Sequence, residues 1–217
     1  SAASDVYKRQ ALFNALANIL QAGDEVVAAA GLYGGTVELF EDLESFGITT
    51  KYVTENEPQA YEKLITEHTR VIFAETIGNP KLDVTDIRAV ADMAHAHGLP
   101  LVIDNTVATP YLVRPLELGA DVVVNSSSKY INGNSDAISG ILTWSGKFAW
   151  DPERYPGLVP YKKFGPMAYV AKLRNGLFRN TGACLSPQNA FLNNLGLETL
   201  GLRMQRQCEN AKELAEF

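Results

Sequence analysis

Residues 99–140 read LPLVIDNTVATPYLVRPLELGADVVVNSSSKYINGNSDAISG, and this stretch decides the fold. It holds two short apolar runs, Leu101-Val102-Ile103 and Val122-Val123-Val124, each ending in a polar cluster. Continuous β-branched runs of this length suit strands buried on both faces, as in a parallel sheet covered by its own crossovers. Working outward, the same pattern predicts strands at residues 24–30, 48–53, 70–75, 99–104, 121–125 and 137–143. Between them, residues 36–46, 58–66 and 86–97 carry apolar side chains at helical spacing. In the last of these, Ile87, Val90, Ala91 and Ala94 form one stripe and Gly98 supplies a stop. The alternation predicts an α/β domain with a mostly parallel central sheet flanked by helices.

Outside this core the signals change. Residues 144–166 hold prolines, glycines and aromatics without a sustained period, which predicts a long structured loop. Residues 11–20, 167–178, 187–200 and 204–217 read as helices. Residues 1–10 are a small-residue lead that fits neither a helix cap nor a targeting signal, and they are expected to be non-native. Residues 11–203 then form the main domain, and residues 204–217 begin a helix expected to lead into a further domain.

Composition narrows the function classes. Of the 217 residues, 46% are hydrophobic and 20% charged, so the chain reads as globular. The net charge of -6 opposes a phosphate backbone, and no basic stretch offsets it, so nucleic acid is not an expected partner. No apolar run approaches the roughly 20 residues of a membrane span, which predicts a soluble, cytoplasmic protein without a membrane partner. Cys184 and Cys208 are too few for a disulfide framework, and His95 and His97 point to different faces of their helix, so no metal site is expected.

An open parallel sheet places ligands beyond the carboxyl ends of its strands. Lys129 follows Ser126-Ser127-Ser128 at such an end. Ser126 and Ser128 share one face of an extended segment and Lys129 takes the other, so hydroxyls can hold a phosphate while the amine condenses with an aldehyde. A solvated lysine in a serine loop is an equal reading of the same residues. Asp104 ends an apolar strand, where a carboxylate needs a cationic partner such as a protonated pyridine nitrogen. Taken alone, Asp104-Asn105-Thr106 reads better as turn chemistry. Tyr33 precedes Gly34-Gly35 and a helix start and could stack on a flat ring, although a packed tyrosine in a glycine turn is the stronger local reading. Asn79-Pro80 is a turn signal first and a ligand contact second.

Together, AGDEVVAAAGLYGGT, ETIGNP, the segment from LVIDNT to DAISG, and LSPQNAFLNNLGLETLGLRMQRQCENAKELAEF resemble the Cys/Met-metabolism family of pyridoxal-phosphate (PLP) enzymes. They cover nearly all of residues 11–217. The resemblance implies the large domain of fold type I, with PLP as cofactor. It implies that Lys129 is the Schiff-base lysine and proton shuttle and that Asp104 pairs with the pyridine nitrogen. Ser126 and Ser128 become phosphate ligands, Tyr33 the stacked and catalytic tyrosine, and Asn79 and Thr106 further cofactor contacts.

Within that family the segments after residue 144 most resemble O-acetylhomoserine sulfhydrylases, which implies O-acetyl-L-homoserine and sulfide as substrates and γ-replacement to L-homocysteine and acetate. A homo-oligomer, a tetramer of dimeric pairs, is implied for the full-length protein. Three departures qualify the likeness. Asn134 stands where the family commonly has His; residues 1–10 lack the expected glycine-containing phosphate turn; and the chain is about half the family's length. A weakly active or inactive fragment is therefore expected. Cystathionine γ-synthase or γ-lyase chemistry would use the same cofactor residues. A nicotinamide-binding fold is disfavoured because no G-x-G-x-x-G follows the first strand.

Overall fold

The computed structural model describes residues 6–217; the lead at residues 1–5 lies outside the described residues. Six strands form one sheet, β1 (Glu25–Ala28), β2 (Thr49–Tyr52), β3 (Thr69–Glu75), β4 (Leu101–Asp104), β5 (Val122–Asn125) and β6 (Ile141–Trp144), in the order β2-β1-β3-β4-β5-β6. All neighbours pair in parallel except β6, which lies antiparallel at the edge. Strands β4 and β5 are buried at every position, as their unbroken apolar runs require, whereas β6 alternates exposed and half-buried residues.

Helix α1 (Val6–Ala17) precedes β1, and the crossovers between the parallel strands carry α2 (Gly34–Glu44), α3 (Pro58–Glu62), α4 (Ile87–Ala96) and the short α5 (Thr109–Leu112). α4 forms where the apolar stripe predicts it. Asp86 caps its start by accepting from the Ala89 amide, and Ile87, Val90, Ala91 and Ala94 are buried against the sheet. The core spans both faces of the sheet, with Phe40, Phe73, Leu43, Ile72, Leu101 and Ile103 fully enclosed. Each such side chain contributes roughly 1.5–3 kcal/mol relative to exposure. At the opposite end from the site, buried Asp121 accepts from the Leu101 amide at 2.9 Å and contacts His95 at 2.8 Å, fixing where β5 begins beside β4.

Four expectations shift. α1 begins at Val6, so part of the supposed lead is helical and continuous with the predicted helix. The last strand starts at Ile141, because Ser139 is held by side chains outside the ladder. The loop from 144 contains 3-10 segments within Pro156–Met167, interrupted by a kink at Gly165, and is pinned by buried Tyr155, whose hydroxyl donates to the Arg70 carbonyl at 2.8 Å. After α6 (Ala168–Asn175) and α7 (Leu177–Thr181), a single 30-residue α8 (Pro187–Glu216) replaces the two helices expected there.

Candidate active site

The parallel strands deliver their polar ends to one edge, where a cavity of about 440 Å³ opens. β3, β4 and β5 contribute Asn79, Asp104 with Thr106, and the Ser126–Ser128–Lys129 turn, while Tyr33 enters from the segment after β1. All seven residues singled out in the sequence line this one cavity. Among the other residues that line it are the charged side chains of Lys8, Glu75 and Arg203, to which the sequence reading gave no role in the site.

Asp104 is almost fully buried and oriented. Its Oδ1 accepts from the Thr106 amide at 3.0 Å and from the Thr106 hydroxyl at 2.5 Å. Thr106 Oγ1 in turn accepts from the Ser126 amide at 2.8 Å, which ties the end of β5 to the carboxylate on β4. Oδ2 has no hydrogen bond of good angle among the described residues and meets the Lys8 ammonium at 2.7 Å, both side chains being buried. The Lys8 ammonium also lies 4.5 Å from the centre of the Tyr33 ring. This carboxylate therefore accommodates a cation beside an aromatic face, the environment a protonated pyridine ring needs.

The parallel register pairs Glu75 with Asp104, which sets two carboxylates side by side at the strand ends. Glu75 Oε1 accepts from the Tyr33 amide at 2.8 Å. Burial, reinforced by the charge of Asp104, pushes the Glu75 carboxyl up to about 8, against the opposing pull of Lys8 and the Tyr33 amide. The sequence signal was available: Glu75, like Asp104, closes an apolar run, Ile72-Phe73-Ala74.

The serine turn is compact. The Lys129 amide donates to the Ser126 carbonyl at 3.2 Å, Asn132 to Ser127 at 2.9 Å, and Gly133 to Lys129 at 2.8 Å. Ser126 Oγ is buried with no hydrogen-bond partner among the described residues, an orphan that a phosphate oxygen would satisfy. Ser128 lines the cavity too, but its hydroxyl accepts from the Ser139 amide at 2.8 Å and donates to the Ser139 carbonyl at 3.1 Å. Lys129 is exposed to the cavity, as is Asn79, whose amide donates to the Gly31 carbonyl at 3.1 Å.

A buried carboxylate presenting one oxygen to a cation, an orphan serine hydroxyl and an exposed lysine thus gather at the carboxyl edge of a mostly parallel sheet, an arrangement that suits a phosphate-bearing pyridine aldehyde. The profile of the Cys/Met metabolism PLP-dependent enzyme family matches residues 9–217, and the chain belongs to that family. An O-acetyl-L-homoserine sulfhydrylase of Corynebacterium glutamicum is 43% identical, over 94% of this chain and 50% of its own length. The solved structure of an O-acetylhomoserine sulfhydrylase of Wolinella succinogenes superposes with a TM-score of 0.88 at 43% identity, covering 97% of this chain and 60% of that one. A putative O-acetylhomoserine (thiol)-lyase of Campylobacter jejuni superposes with the same TM-score of 0.88 at 32% identity, covering 97% and 55%. It carries N'-pyridoxyl-lysine-5'-monophosphate at its position 205. The chain spans about half the length of the curated relatives it matches.

Proposed function

We propose that this chain is the cofactor-binding part of an enzyme that replaces the γ-acetoxy group of O-acetyl-L-homoserine with sulfide, giving L-homocysteine and acetate. The observation that carries the reading is the convergence of Lys129, Asp104 Oδ2 and the Ser126 hydroxyl on one cavity. Named relatives with this chemistry support the choice of substrate.

Bound there, pyridoxal phosphate supplies an electron sink for charge left at the substrate's Cα. Lys129 would hold the aldehyde, with Ser126 and Ser128 at the phosphate, Asp104 at the ring nitrogen, Tyr33 against the ring, and Asn79 and Thr106 around it. Thr106 acts chiefly by fixing Asp104, since its hydroxyl proton is directed to Oδ1. With the cofactor bound, the Lys129 amine would serve as the base for the substrate's Cα proton, and Lys129 and Tyr33 would carry the remaining protons of the γ-replacement. A homo-oligomer in the cytoplasm completes the reading, with residues 11–203 as the PLP-binding large domain.

The test is a product assay on the PLP-loaded protein with O-acetylhomoserine and sulfide. Homocysteine and acetate in equal amounts support γ-replacement. An α-keto acid released with ammonia would assign γ-elimination instead.

A further inference from the structure

One face of α8 grips the turn that carries Lys129. Asn193, Gly196, Leu200 and Arg203 recur at helical spacing along that face. Asn193 Nδ2 donates to Ser139 Oγ at 2.8 Å, Ser139 Oγ accepts from Ser127 Oγ at 2.7 Å, and Ser139 brackets the Ser128 hydroxyl. At Gly196 the helix backbone comes so close to the carbonyls of Ile131 and Asn132 that no side chain fits between. Leu200 and Met204 pack on Ile131 in a small apolar cluster of their own.

Arg203 completes the contact from the cavity side. Its Nη1 donates to the Tyr130 carbonyl at 2.7 Å and its Nη2 to the Ile131 carbonyl at 3.3 Å, the two residues directly after Lys129. Nη2 also donates to the Gly196 carbonyl at 2.8 Å, and Nε to the Thr199 hydroxyl at 3.0 Å, so the guanidinium plane is held from its own helix. None of its partners among the described residues is a carboxylate. A planar fork bridging a carbonyl and a hydroxyl of its own helix and two turn carbonyls fixes an angle that a single ammonium cannot. We propose that Arg203 is a positioning residue for Lys129: it locks the turn after the lysine so that the amine projects into the cavity at a fixed angle.

The inference rests on the assignment of Lys129, and the experiment separates the two. Pyridoxal phosphate is added to the full chain and reduced with borohydride, and the label on Lys129 is compared with the label on exposed Lys162 and Lys163 in the same sample. Amide exchange of residues 130–133 is measured without cofactor. In Arg203→Met, Lys129 labelling falls on the order of tenfold while Lys162 and Lys163 are unaffected, because a misplaced amine loses reactivity steeply. Exchange in the turn accelerates while β3 and β4 stay protected. Arg203→Lys restores the charge but not the fork, so it recovers only part of the labelling. It also serves as the deciding variant if Arg203→Met does not fold. Unchanged labelling ratio and unchanged turn exchange in a folded variant overturn the proposal, as does full recovery by lysine. No label on Lys129 in the parent protein would instead defeat the assignment of Lys129, leaving turn exchange to judge Arg203.

Discussion

Asp104 is the residue on which the account turns, because its two oxygens have different tasks. Thr106 saturates Oδ1, while Oδ2 faces the cavity and Lys8. On the proposed assignment, a pyridine nitrogen would compete with the Lys8 ammonium for Oδ2. Lys8→Ala is therefore expected to tighten PLP binding, by on the order of tenfold, in an absorbance titration. The same substitution leaves a buried carboxylate unpaired and should lower the stability of the cofactor-free protein by about 3–5 kcal/mol. Equal or weaker PLP binding in the variant would show that Oδ2 is not the competed position. Glu75 makes a second prediction. Its folded-state value near 8 lies above its ordinary 4.5, so its contribution to stability is complete below about 4.5 and lost as pH rises towards 8. Chemical denaturation at pH 5 and pH 8.5 should show the parent losing more stability than Glu75→Gln over that window. Parallel pH profiles would refute the assignment. Strand-end residues were legible from the sequence because parallel strands put their carboxyl ends at one edge of the sheet. Lys8 and Arg203 were not, because their places depend on how α1 and α8 pack, which no local pattern encodes.

At the scale of elements, α8 shows what the sequence conveyed and what it did not. Its start was legible: Ser186 accepts from the Asn189 amide and Pro187 occupies the first turn. Its continuity was not, because Gly201 reads as a break, and a glycine costs a helix only about 1 kcal/mol, which packing of Leu200 and Met204 on Ile131 offsets. Two glycines in this helix should respond oppositely to alanine. At Gly201 a methyl meets only the ring of half-exposed Tyr111, which can swing aside, so Gly201→Ala should be neutral or stabilising by up to about 1 kcal/mol. At Gly196 it meets the main-chain carbonyls of Ile131 and Asn132, so the helix has to move, and overpacking of about 1–3 kcal/mol outweighs the propensity gain. Thermal unfolding of the two variants checks the contrast, and a Gly196→Ala protein as stable as the parent would mean that α8 does not seat tightly on the lysine turn. The early edge of β6 was misplaced for a related reason: Ser139 looks like strand sequence, yet its hydrogen bonds to Ser127, Ser128 and Asn193 draw residues 137–140 out of the ladder.

For the molecule as a whole, the cavity joins segments from Lys8 to Gln207, so its shape depends on the folded sheet rather than on any local motif. The sheet order was not written in any one segment, because it depends on which way each crossover turns, and the antiparallel edge strand arises because β6 returns directly from the serine turn. Among the described residues no helix is long and apolar enough to cross a membrane. A ligand that binds only the assembled edge should stabilise the entire domain, by about 2.7 kcal/mol at a hundredfold excess over its dissociation constant. The most direct test of the central claim is to incubate the protein with pyridoxal phosphate, reduce with borohydride and map the added mass by peptide mass spectrometry. The mass should fall on Lys129, and Asp104→Ala should weaken the labelling without moving it. A label on Lys8, Lys162 or Lys163 with Lys129 unmodified would contradict the account.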